Sequence, residues 1–281
     1  MTQVSFVAFW FAMALFTAAT VLYAYHFETK RTSLSRYATL ATGAGFLALT
    51  TSIGAQSVAT DGTLLTGSNV LVLMAWALVL VYFVLEHFMR VKVYGALLVP
   101  SALVVLLVAQ LMGASTDVLE GLSPAQQVLL DSWRVGMHVA LVSFANAGFL
   151  ISAAGSLLYL VLERQLKHKK STKLFSRLPS LAQTDAVARR SVVWAFPVYT
   201  AGLLLGVLRA IETDVQLWWA DIRVILAGLV WMAFAAYQFM RWRKGWASRS
   251  LAYIALVGFA LVAVLSVVAR TVPAGFHVFG L

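Results

Sequence analysis

Apolar residues run through this chain in long blocks separated by short polar breaks. The blocks fall near residues 4–25, 37–57, 69–89, 93–113, 135–162, 191–211, 222–242 and 251–271. Each approaches or exceeds the roughly 20 residues that an α-helix needs to cross a bilayer. Exposed backbone cannot be satisfied in lipid, so blocks of this length predict helices. The pattern therefore predicts an all-α, polytopic membrane protein of eight transmembrane helices, a single domain spanning 1–281. The longest polar stretch, about 164–190, is too short to bury a core of its own.

Composition fits the pattern. Only 11% of residues are charged and the mean hydropathy is +0.86. Soluble domains carry roughly a quarter charged residues. There is no cysteine, which excludes disulfides, thiolate metal ligands and cysteine nucleophiles. The opening residues Met1-Thr2-Gln3-Val4 lack a basic segment and a small-residue cleavage site, so the first block is expected to be a retained helix.

The net charge of +10 changes the picture through its distribution. Of 21 Lys and Arg residues, 17 fall on alternate breaks: those after blocks one, three, five and seven. The positive-inside rule makes those breaks cytoplasmic, and an even number of spans then places both termini outside. The basic excess reads as orientation and contact with the lipid bilayer, and no nucleic-acid partner is expected. On the outer side, Ser123-Pro124 has the form of an N-cap followed by proline at the first helical position. A short interfacial helix is expected there, in the outer loop between helices 4 and 5.

Four basic residues escape the cytoplasmic breaks: Arg134, Arg209, Arg223 and Arg270. All four stand at outer ends of spans, as do His138 and His277, and Trp133, Trp218 and Trp219 share that depth. Arg134 and His138, four residues apart, share one helix face. Imidazoles ligate haem iron axially, guanidiniums hold propionates, and indole faces cover the porphyrin. Interfacial Trp and Arg also serve as plain membrane anchors, and Arg134 has Asp131 within one turn as a partner. His26, His87 and His168 lie at cytoplasmic ends or loops, where a solvated role is expected. No nucleophile triad, phosphate loop or metal-ligand spacing is present, and no catalytic residue is assigned.

The segment Asp131-Ser132-Trp133-Arg134-Val135-Gly136-Met137-His138-Val139, running into Gly155-Ser156-Leu157-Leu158-Tyr159-Leu160, resembles the helix bearing the first external haem histidine of the CcsA/ResC/HemX cytochrome c assembly family. Asp185, Arg189, Phe196-Pro197 and Gly202 to Gly206 are similar to the helix that leads to that family's tryptophan-rich loop. Trp218-Trp219-Ala220-Asp221-Ile222-Arg223 stands where the family has Trp-x-Trp-Asp-Pro-Lys, and Gly275-Phe276-His277-Val278-Phe279-Gly280 resembles the ending that carries the second external histidine. Asn69, Trp76, Gly95 and Pro100 are weaker echoes. The likeness covers about the last 150 residues well and the first half loosely.

The resemblance implies haem b at the extracytoplasmic surface of the cell membrane, with His138 and His277 as iron ligands. Arg134 and Arg223 would neutralise propionates, Trp218 and Trp219 shield the ring, and Asp221 fixes the loop. It further implies a component of cytochrome c maturation that presents haem to apocytochrome c beside a ResB-like membrane partner, as a subunit of a haem-attachment (synthetase) complex. The departures are Ala220, Ile222, Arg223 and Arg209, together with Phe239 where synthetase members have an intramembrane histidine. They keep open a HemX-like regulator of tetrapyrrole synthesis without catalytic activity, or a structural helix bundle in a larger membrane complex.

Overall fold

The computed structural model describes residues 3–29, 31–59, 67–89, 94–111, 132–168, 178–243 and 248–271. Among them the regular structure is entirely helical: α1 (Gln3–Thr29), α2 (Thr32–Ala59), α3 (Gly67–Met89), α4 (Gly95–Leu111), α5 (Trp133–Lys167), α6 (Leu181–Glu212), a 3-10 turn (Trp218–Ala220), α7 (Ile222–Trp242) and α8 (Ser248–Thr271). All of these helices except α4 are long and apolar enough to cross a membrane. The described part of α4 has 17 residues, about 25 Å at 1.5 Å per residue. The chain is a multi-pass membrane protein. The expected interfacial helix at Ser123-Pro124 lies outside the described residues, as do His277 and the side chain of Arg270.

Seven of the eight elements start and stop within about five residues of the apolar blocks. The exception is α6, which begins at Leu181, ten residues before its block. The cause is a capping box. Ser180 Oγ accepts from Gln183 N at 3.2 Å, and Gln183 Oε1 accepts from Ser180 N at 3.0 Å. Two otherwise unsatisfied donors of the helix start are thereby paired, and the polar segment 181–190 becomes helix. Thr184, Val187 and Ala188 form its buried face.

The chain forms two compact units, residues 1–116 and 117–281. The first contains α1 to α4, around Phe9, Phe16, Tyr23, Leu49, Leu78, Tyr82 and Leu98. Polar staples tie its helices. Ser5 and Ser52 exchange hydroxyl-to-carbonyl bonds at 3.1 and 2.8 Å. Tyr23 and Tyr82 join hydroxyls at 2.5 Å, and Tyr82 and Thr39 both donate to the Glu86 carboxylate. Gly95 lies flat against the Tyr23 ring, where a Cβ would stand 2.6 Å from Cζ.

In the second unit α5 and α6 pair antiparallel along most of their length. Val142 meets Gly202, Gly148 meets Ala195 and Gly155 meets Ala188, so the numbers rise on one helix as they fall on the other. A Cβ on Gly148 would stand 2.6 Å from Ala195 and one on Gly202 2.9 Å from Val142. Small residues at a seam let backbones approach closely, the usual device where lipid removes the hydrophobic drive between helices. Phe149 stacks on Phe234 of α7 with centroids 3.7 Å apart, and Gly258 of α8 lies against Phe234, where a Cβ would stand 2.9 Å from Cζ.

Candidate functional site at the end of the second unit

The N-terminus of α5, the C-terminus of α6 and the start of α7 lie at one end of the second unit. Ser132 caps α5 by accepting from Arg134 N, so the helix begins at Trp133 and carries Arg134 and His138 one turn apart on a shared face. His138 is half-buried against α6. Its Nδ1 lies 2.7 Å from the carbonyl oxygen of Gly202. A carbonyl only accepts, so Nδ1 carries the proton, and in the neutral ring the lone pair is on Nε2. A fixed Nδ1–H···O=C bond is the arrangement that orients an imidazole as a metal ligand through its other nitrogen.

The ring fits because position 206 has no side chain. A Cβ on Gly206 would stand 2.9 Å from both Cε1 and Nδ1 of His138. Gly202 and Gly206 thus divide the work. One offers its carbonyl and a close approach to Val142, and the other leaves room for the imidazole. The Gly202-x-x-x-Gly206 spacing was the readable signal for this, since small residues four apart mark a close helix seam.

One turn from the imidazole, two guanidiniums meet one carboxylate. Arg134 Nη1 donates to Glu212 Oε2 at 2.8 Å, and Arg209 Nη1 lies 3.7 Å from the same oxygen. Arg134 also lies over the Trp133 ring, 5.5 Å from its centroid. Sequence reading left Arg134 with Asp131, which lies outside the described residues. Glu212 is the residue that sequence reading overlooked. Its spacing of three from Arg209 was visible, but its approach to Arg134 comes from the α5–α6 pairing.

A second group occupies the link from α6 to α7. Asp214 and Leu217 both adopt left-handed backbone, φ 50° and 55°. Asparagine and aspartate tolerate this region, whereas a leucine there costs about 1–2 kcal/mol. The pair folds the link back so that Trp218–Ala220 forms a 3-10 turn leading into α7. Trp218 is half-buried and Trp219 is 59% exposed, their rings perpendicular at 86° with centroids 6.3 Å apart. Asp221 is the N-cap of α7, accepting from Arg223 N at 2.8 Å, and both residues are buried. The perpendicular indoles present one flat face and one edge in a given direction, so they form a corner rather than a single wall.

The donor set suits a dianionic, iron-bearing ligand. It offers an imidazole with its lone pair on Nε2, guanidiniums already holding a carboxylate one turn away, and one half-buried and one exposed indole on the adjoining link. Glu212 shows that Arg134 and Arg209 can share one carboxylate.

Residues 64–277 match the profile of a protein family described as Cytochrome C assembly protein. Among curated proteins, the chain is 30% identical to the Cytochrome c biogenesis protein CcsA of Chlamydomonas reinhardtii, over 75% of this chain and 58% of that protein. It is 28% identical to the protein of the same name from Prochlorococcus marinus (strain MIT 9303), over 74% of this chain and 72% of the relative. With that of Pyropia yezoensis it shares 25% identity over 88% of each chain. The chain thus spans a little over half the length of the algal relative from Chlamydomonas.

Proposed function

Because this chain belongs to the cytochrome c assembly protein family, we propose that it is a haem-handling membrane component of cytochrome c maturation, holding haem b at the extracytoplasmic surface and presenting it to apocytochrome c. The observation that carries this reading is the His138 imidazole, locked through Nδ1 to Gly202, seated against Gly206, and one turn from the Arg134–Glu212–Arg209 cluster. His138 would be one axial ligand and His277, near the end of the chain, the other. Arg134, Arg209, Arg223 and Arg270 would receive the propionates. Trp218 and Trp219 would enclose the ring from one corner, and Asp221 holds the link that carries them.

Haem, when bound, supplies an iron porphyrin whose side chains accept the cysteine thiols of the acceptor protein. The chain's own contribution is placement. Residues on α5, α6, α7 and α8, together with His277 and one strained link, would hold the ligand in a single orientation, which converts a bimolecular encounter into a positioned one. A ResB-like membrane partner and apocytochrome c are the proposed partners, within a haem-attachment complex in the cell membrane. Both termini and the His138 end would lie outside the cytoplasm, following the alternation of basic residues.

A second reading, a HemX-like regulator of tetrapyrrole synthesis, draws on Phe239, which is 54% exposed on α7 and stacked under Arg243 at 5.7 Å. A phenyl ring ligates no iron, so a second haem site there is not expected. The absorption spectrum of the purified chain, with a haemochromogen assay, tests the first reading. His138→Gly is expected to lower haem content or shift the spectrum, and added imidazole to restore part of it. Haem content indifferent to both His138→Gly and His277→Gly would end the proposal.

A further inference from the structure

We infer that Glu212 is an internal stand-in for a haem propionate, holding the Arg134 and Arg209 guanidiniums in competition with the ligand. The inference rests on the haem reading above and adds to it a residue that tunes release. Glu212 Oε2 serves cations from two helices, at 2.8 Å from Arg134 and 3.7 Å from Arg209. The two arginines sit one turn from the imidazole along their helices, since Arg134 precedes His138 by four residues and Arg209 follows Gly206 by three. Glu212 is also the last residue of α6, where the helix's own carbonyls carry partial negative charge and an acidic side chain is the disfavoured type. Helix stability does not account for an acid at that position; contact with two guanidiniums does.

The contact is built to exchange. The Arg134 and Glu212 side chains are 36% and 37% exposed, and ion pairs at that exposure are weak. A propionate brings the same carboxylate to the same forks, with affinity added by iron ligation that Glu212 lacks. Glu212 therefore yields when haem docks, reclaims its guanidiniums when haem leaves, and lowers the affinity that a transfer protein must overcome at hand-over.

The alternative role is orientation, with Glu212 aiming both arginines at the ligand. The two roles predict opposite signs. The experiment loads the full-length purified chain with haem in lipid nanodiscs and follows haem transfer to excess apomyoglobin. If Glu212 is a competitor, Glu212→Gln slows transfer about tenfold. The same variant leaves transfer of haem dimethyl ester, whose propionates are uncharged, as in the parent chain. Glu28→Gln removes an exposed carboxylate in the first unit and leaves both rates unchanged. Faster haem transfer from Glu212→Gln would establish orientation and overturn the inference. An unchanged haem rate would overturn it too, as would equal slowing of haem and its dimethyl ester, or slowing by Glu28→Gln. Haem content unaffected by His138→Gly would instead remove the underlying reading and this inference with it, so that variant tells the two failures apart.

Discussion

At the scale of single residues, the site depends on an atom that is missing. Gly206 leaves the space in which the His138 ring sits, and a methyl group there would approach the ring to 2.9 Å. Gly206→Ala is expected to displace the imidazole and lower haem per protein about tenfold with membrane insertion unchanged. Gly228→Ala, where a Cβ meets nothing within 4 Å, is the matched control. Arg134 gives the second prediction. A charge-assisted bond to a propionate is worth roughly 1.5–3 kcal/mol, so Arg134→Ala should weaken haem retention by about ten- to a hundred-fold with little change in the axial spectrum. Arg243→Ala, an exposed arginine on the opposite end of the unit, should do neither. The shared face of Arg134 and His138 was legible because it follows from helical spacing alone. Their partners were not, because Glu212 and Gly202 lie 78 and 64 residues from them and meet them only once α5 and α6 pair.

At the scale of elements, apolar block length placed most helices closely, and it failed only where hydrogen bonding outweighs hydropathy. The first ten residues of α6 are too polar to register as a span, yet a serine and a glutamine three residues apart start the helix there. Losing such a cap costs about 1 kcal/mol. Ser180→Ala is therefore expected to lower the thermal midpoint by a few degrees without altering the haem spectrum. The same end carries the Asp185–Arg241 pair, a two-pronged contact at 2.8 and 3.3 Å between α6 and α7. Arg241→Ala leaves a half-buried carboxylate without its guanidinium and should destabilise the chain by about 1–3 kcal/mol. Arg241→Lys should recover part of that loss, since an ammonium cannot reproduce the fork.

At the scale of the whole molecule, the family and the multi-pass membrane character were both readable from sequence. One rests on a few clustered motifs and the other on block length, and neither requires tertiary contacts. The orientation prediction has a direct measurement: reporter fusions at Leu281 and within 167–173 are expected to report opposite compartments, and agreement between them would mean a span count wrong by one. The helices α5 and α6 have 35 and 32 residues, about 52 and 48 Å, against a hydrocarbon layer of roughly 30 Å. His138 stands near one end of this hairpin, so with that end held at a membrane surface most of the surplus length would project at the other, where Lys167 and Ser180 lie. Close glycine packing makes the two helices one stiff strut. Whatever grips the projecting end therefore has a handle on the imidazole about 40 Å away, and can tilt the site across the full thickness of the membrane without touching it.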